Sequence, residues 1–525
     1  SSSANKTLYF YDACNNTVKY VIMRGKAPSN DALSINNGLV HFGGGAVTGN
    51  DNNTIDHCDI DGQGNTSACI YSKNPVGSTP DNNGNIISNC HIYDFYAGTT
   101  HRYHSGIHLP WWGNGSWTVT GNSLYQTAAR TFATNDYCTI YGVYFDIAGS
   151  CTVSNNHIGG SEPECGGSAW THSGGRGAFI GIHIEGASAS LTSAIDGNVI
   201  SNFSIYHSGS TTHFTGINAG DGKTAIGANT GNTIGSANSN NAITLSSPNQ
   251  SYAYGINYRS GDAPATISNN TVGGVSLSYY GEFYGIYNTS SNAGAHLISG
   301  NLAGSLTQSG SIRGLNSNAT VLFGIASRAG GGTTSVSNNT VANLEYASTS
   351  TAAKIRGLDI NDRGGSVSGN TVRDLSMSAG STSSGDNNAL SGIYAVYSYN
   401  PNNVSISDNS IYNLSSTHES NAVEMNGIYY KNTGTGCIID KNHIYNLSQS
   451  TSNSASLING IQMVSGPVSV INNMISLGSG ISNALNIRGV ADASSSANTL
   501  CFNSVRIGGT VTGTADGTYS QAFFR

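Results

Sequence analysis

The sequence predicts an all-β chain folded as a single-stranded right-handed parallel β-helix, a solenoid of about 14 rungs. Three observations carry that prediction. The first is a column of Gly followed by an aliphatic residue, at Gly106-Ile107, Gly142-Val143, Gly181-Ile182, Gly216-Ile217, Gly255-Ile256, Gly285-Ile286, Gly324-Ile325, Gly357-Leu358, Gly392-Ile393, Gly427-Ile428, Gly460-Ile461 and Gly489-Val490, which Gly38-Leu39 and Cys69-Ile70 extend backwards. The second is a column of Asn with an apolar residue two places on, running from Asn122 through Asn156, Asn198, Asn232, Asn270, Asn301, Asn339, Asn370, Asn409, Asn442 and Asn473 to Asn503. The third is spacing. From Gly106 onward the Gly-to-Asn interval stays within 13 to 17 residues, whereas the Asn-to-next-Gly interval ranges from 15 to 25. The constrained half reads as strand and turn, and the variable half as loops.

Within each unit apolar and polar residues alternate, as in Gly427-Ile428-Tyr429-Tyr430, which is the period of a strand with one buried face. Units of this length contain no helical periodicity, so helical repeats are excluded. Propeller blades need four strands per repeat and usually a blade signature. Short parallel strands stacked rung on rung fit, each Ile above the Ile of the previous turn. The recurring Asn then marks a tight bend, because Asn tolerates the left-handed conformation and its amide can bond to the next rung.

In chain order, residues 1–37 lack the Gly-Ile phrase and read as an amino-terminal capping region, with strands at Leu8-Tyr9-Phe10-Tyr11 and Val18-Lys19-Tyr20-Val21-Ile22. The β-helix then occupies residues 38–525. Cys58 and Cys90 stand in the Asn place of adjacent rungs, either as a disulfide or as small buried residues in the ladder. No Cys spacing resembles a zinc site. Asp59 and Asp61 flank the inward Ile60 and share an outward face, where Ca²⁺ is a candidate ligand with too few oxygens for a recognisable loop; no other metal or cofactor is expected. Residues 98–176 depart most from the plain repeat, with loop insertions that contain all four Trp and many of the histidines. The chain opens at Ser1 with neither Met nor signal peptide, reading as a mature or trimmed end, and stops at Phe524-Arg525 without a polar cap, so a further carboxy-terminal region is expected.

Composition narrows the functional classes. Of 525 residues only 9% are charged, the formal net charge is −7, and the 21 Lys and Arg form no basic tract, which argues against nucleic acid. No apolar stretch approaches the ~20 residues of a membrane-spanning helix. If the residue after each Gly points inward, the second and fourth residues after it point outward. Asp146 and Glu185 then stack on adjacent rungs beside His108, Tyr144 and His183. Two carboxylates about 5 Å apart fit the nucleophile and acid/base of a retaining glycosidase. Trp111, Trp112 and Tyr144 are the expected ligand-binding residues, the tryptophans as a sugar platform.

The phrases Ser337-Asn338-Asn339-Thr340-Val341, Ile471-Asn472-Asn473-Met474-Ile475 and Phe502-Asn503-Ser504-Val505 resemble those of large secreted right-handed β-helix surface proteins of Bacteroidota type, cargo of the type 9 secretion route. The resemblance implies secretion, a place at the cell surface, contact with secretion or anchoring machinery, and a carboxy-terminal sorting domain that this sequence lacks. The fold is similar to that of the pectin-lyase-like superfamily. The paired-Asp, His-Gly and Arg-x-Lys pattern of polygalacturonases is missing, as is the acidic calcium cluster with catalytic Arg of pectate lyases. The expected function is a cell-surface adhesin or structural stalk that binds an extracellular glycan. The alternative is a glycoside hydrolase or polysaccharide lyase acting through Asp146 and Glu185 with His183 and His108.

Overall fold

A computed structural model describes residues 6–28, 34–43, 48–73, 81–98, 101–111, 113–132, 137–147, 149–186, 189–209, 212–249, 251–278, 281–315, 321–348, 350–451, 453–481, 485–509 and 519–525. The chain is an all-β parallel solenoid of about 14 turns. It divides into two compact units, Ser1–Ser236 with Asn241–Asn270, and Ala237–Asn240 with Thr271–Arg525. No helix among the described residues is long and apolar enough to cross a membrane.

Aliphatic stacks fill the interior of each unit. In the first, Ile107, Val143, Ile182, Ile217 and Ile256 pair rung to rung in parallel register and are fully buried. In the second, Ile286, Ile325, Leu358, Ile393, Ile428, Ile461 and Val490 do the same. Each such side chain contributes about 1.5–3 kcal/mol on burial. The preceding Gly is required by contact rather than by backbone angle. A Cβ on Gly181 would lie 2.6 Å from the Gly216 carbonyl oxygen and 2.8 Å from Ile200 Cδ1, so the rungs close only where no side chain intervenes.

The Asn column forms a continuous buried ladder within each unit. In the first, the backbone N–H of Asn122, Asn156, Asn198 and Asn232 each donates to the side-chain oxygen of the next Asn at 3.0 Å. The amide nitrogen donates both to that oxygen and back to a strand carbonyl, as Asn156 Nδ2 does to Val119 O at 3.0 Å. The second unit repeats this from Asn301 through Asn339, Asn370, Asn409, Asn442 and Asn473 to Asn503. The left-handed bend, however, falls one residue earlier than the sequence pattern suggests, at Asn155, Asn269, Asn338, Asp408, Lys441 and Asn472. The ladder Asn keeps ordinary backbone angles because its side chain must point inward.

Cys58 and Cys90 continue this ladder as free thiols: Cys58 N donates to Cys90 Sγ at 3.4 Å, and Cys90 N donates to Asn122 Oδ1 at 2.9 Å. Residues of the amino-terminal region form a turn of their own. Leu8–Phe10, Thr17–Lys19 and Ile22–Arg24 pair in parallel with Val40–Gly43, Thr54–Asp56 and Asp59–Asp61.

The first unit also contains a buried imidazole stack. His172 and His207 lie 4.6 Å apart and His207 and His213 4.7 Å apart, between ring centroids. No ring nitrogen of His172 or His207 has a hydrogen-bond partner among the described residues. Burial pushes His104, His108 and His172 down to about 3. The unfolded chain therefore binds protons that the folded chain refuses, and each such histidine removes about 1.4 kcal/mol of stability per pH unit as pH falls from ~6.5 toward 3. Hydrogen exchange at pH 7 and pH 5 is expected to show the first unit opening on acidification well before the second, whose histidines His296, His418 and His443 form no such stack among the described residues. Equal acid sensitivity of the two units would contradict this.

Candidate functional site

A ladder of rings runs along one sheet of the first unit. His41, Tyr71, His108, Tyr144 and His183 occupy paired positions on successive strands Val40–Gly43, Ala68–Lys73, Tyr103–Leu109, Thr139–Asp146 and Phe179–Glu185. His108 and Tyr144 stack at 4.5 Å and 10°, and Tyr144 and His183 at 4.9 Å and 19°. These residues face away from the aliphatic interior, as alternation along a strand requires. They are nevertheless sheltered, with His108 and His183 only 9% and 5% exposed.

The shelter is a cleft of ≈ 390 Å³ lined by Ser34, Ile35, Asn36, Tyr71, Lys73, Tyr103, His108, Pro110, Trp111, Tyr141, Tyr144 and Asp146. Trp111 is half exposed and forms part of the wall. Trp112 lies outside the described residues. Segments 34–36 and 110–111 flank the ring ladder, Tyr103 lines the cleft from one of the ladder's own strands, and Lys73 brings a cation to one side.

Asp146 and Glu185 are paired positions on adjacent strands. Asp146 borders the cleft, and His183 and Glu185 stand one rung further along. Burial and the neighbouring Glu185 charge push the Asp146 carboxyl up to about 6, against a Tyr144 hydrogen bond that pulls it down. Its Oδ1 has no hydrogen-bond partner among the described residues. That oxygen and the Trp111 ring both crowd Gly186, where an added Cβ would lie 2.4 Å from Oδ1 and 2.7 Å from the ring. Gly186 has φ +71 and leaves the space that Asp146 Oδ1 and the Trp111 ring both border.

Glu185 has the opposite environment. Its Oε2 accepts from His183 Nε2 at 2.9 Å and its Oε1 from Arg259 Nη2 at 2.9 Å. These partners, led by the His183 bond, hold Glu185 below the usual carboxylate range. Burial holds His108 neutral, so it offers the cleft an uncharged imidazole.

Asp59 and Asp61 share a face as expected. Asp59 Oδ1 lies 3.0 Å from His91 Nδ1 and Asp61 Oδ2 lies 3.4 Å from Arg24 Nε. Among the described residues no group of three or more His, Cys, Asp or Glu is arranged to hold a metal ion.

Sequence reasoning left Lys73, Tyr103, Tyr141 and the 34–36 wall unassigned, because they come from outside the Gly-centred columns or from irregular segments. Arg259 stands in the same outward column as Asp146 and Glu185, and that column was the signal for it. No protein-family model, curated protein or solved structure matches this chain.

Proposed function

We propose that this chain is a secreted, cell-surface β-solenoid, an adhesin or stalk, that binds an extracellular glycan in the cleft of its first unit. The observation that carries the reading is the cleft itself: Trp111 offers it a half-exposed ring, and Tyr71, Tyr103, Tyr141 and Tyr144 line it together with polar Ser34, Asn36, Lys73 and Asp146. Ring faces stack on the C–H faces of sugars, while amides, hydroxyls and charges meet sugar hydroxyls. The scarcity of charge elsewhere suits a display scaffold that needs no chemistry along its length. Burial pushes the Cys90, Cys151 and Cys165 thiols up to about 12, which keeps these three protonated and suits them to an oxidising exterior.

A glycan array tests the reading. The wild-type chain is expected to retain a defined set of saccharides, and Trp111→Ala to weaken those hits about tenfold, the loss of roughly one stacking contact. An array without hits, or hits indifferent to Trp111→Ala, would remove the cleft as the binding site.

A second reading is favoured by the split environments of the two carboxylates, since neighbouring acids pushed apart in acidity mark an acid and its partner. One rung, about 4.8 Å, separates their backbones, which suits the ~5–5.5 Å carboxyl spacing of retaining glycoside hydrolysis. In that chemistry the Glu185 carboxylate attacks the anomeric carbon, the glycosidic C–O bond breaks, and the departing oxygen takes the Asp146 proton. Water then adds to the same carbon, returns a proton to Asp146, and releases Glu185 as a carboxylate.

A further inference from the structure

The carboxylate pair belongs to a longer polar chain. Asn257 Nδ2 donates to Asn218 Oδ1 at 2.8 Å, and Asn218 Nδ2 lies 2.8 Å from His183 Nδ1. With its oxygen taken by Asn257, the Asn218 N–H points at the imidazole, which agrees with the Glu185 carboxylate, an acceptor only, requiring the N–H on Nε2. His183 Nδ1 must then accept, which in a neutral ring places the only N–H on Nε2, aimed at Glu185 Oε2 at 2.9 Å. The order of these residues follows the rungs, because His183, Asn218 and Asn257 are paired positions on consecutive strands.

Arg259 reaches the same carboxylate from two rungs away. The residue between them in that column is Gly220, where an added Cβ would lie 3.1 Å from Glu185 Cγ and 3.3 Å from Oε1. Gly220 is not held at positive φ, so its place here is explained by space. The gap lets the guanidinium cross a whole rung to Glu185 Oε1 at 2.9 Å.

We propose that Arg259 and the Asn257–Asn218–His183 chain are positioning residues that hold Glu185 ionised and oriented, one donor on each oxygen, and so leave the proton of the pair on Asp146. Asp146 is thereby the acid and Glu185 the nucleophile of the second reading above, on which those roles rest. The charge arrangement itself rests only on the bonds just described and can be tested without any turnover.

The test is an NMR titration of the full chain with ¹³C-carboxyl-labelled Asp and Glu and ¹⁵N-labelled His, resonances being assigned by their loss in Asp146→Asn, Glu185→Gln and His183→Gln. In the wild type, Glu185 should stay ionised below the ordinary glutamate midpoint, and the neutral form of His183 should be the Nε2-protonated tautomer. Arg259→Met, at a half-exposed position, should raise the Glu185 midpoint by about 1 pH unit. Arg259→Lys should restore most of it. Gly220→Leu should reproduce the Arg259→Met shift with the arginine still present. An unchanged Glu185 midpoint in Arg259→Met, or a neutral His183 protonated on Nδ1, would overturn the proposal. If the titrations come out as expected and no saccharide is cleaved, the hydrolytic reading falls and the charge arrangement stands.

Discussion

Replacing Asn198 with leucine is expected to destabilise the first unit by about 3–5 kcal/mol, a large share of the ~5–15 kcal/mol that holds a typical domain. Asn198 Oδ1 accepts from both the backbone N–H and the side-chain amide of Asn156, at 3.0 and 2.9 Å, and Asn198 Nδ2 donates to Val153 O at 2.8 Å. Leucine is close in volume, so packing changes little. What changes is that the Asn156 N–H and the Val153 carbonyl lose these partners in the interior, where each orphan costs about 1–3 kcal/mol. Thr118→Ala, on the outward face of a neighbouring strand, should move stability by no more than about 0.5 kcal/mol. Urea unfolding followed by circular dichroism measures both. A Leu variant as stable as the Ala variant would mean that the ladder contributes order without free energy.

The other large effect concerns the carboxylates. If the cleft hydrolyses its glycan, Glu185→Gln and Asp146→Asn are each expected to lower kcat by about 10³-fold or more, since one removes the nucleophile and the other the proton donor. The two differ in pH dependence. Cleavage needs Asp146 protonated, so in the wild type it should fall as pH rises through about 6, the value to which burial and Glu185 push that carboxyl. It needs Glu185 ionised, so the acid limb should lie below the ordinary glutamate range. Residual activity in Asp146→Asn should lose the limb near 6 and keep the acid one. Reducing-sugar release across pH 3 to 9 checks this, and either variant retaining wild-type turnover would exclude the pair.

The repeat was legible because both of its constraints are local and absolute. A Gly is needed wherever a Cβ would strike the next rung's carbonyl, and an Asn wherever one side chain must satisfy backbone groups above and below it. From Gly106 to Gly489 and from Asn122 to Asn503 both leave a single residue type in a column, and columns can be counted. The left-handed bend was harder to place, since it tolerates Asn, Asp, Gly, His and even Lys441 and Phe502, and so leaves no uniform column. The stacking of Asp146 on Glu185 beside His108, Tyr144 and His183 followed from strand alternation alone. The depth of the cleft did not. It depends on segments 34–36 and 110–111, whose paths are set by side-chain packing that no period encodes. Arg259 and Gly220 were visible as column members, but their joint meaning, a gap and a side chain long enough to cross it, required distances.

A crystal structure of the chain soaked with the strongest saccharide from the array would test the glycan cleft most directly. The expected density is a sugar ring against Trp111, beside the edge of Tyr144, with a hydroxyl or glycosidic oxygen within hydrogen-bond reach of Asp146. A saccharide bound elsewhere on the chain, with the space between Trp111, Tyr103 and Asp146 holding only water, would contradict it.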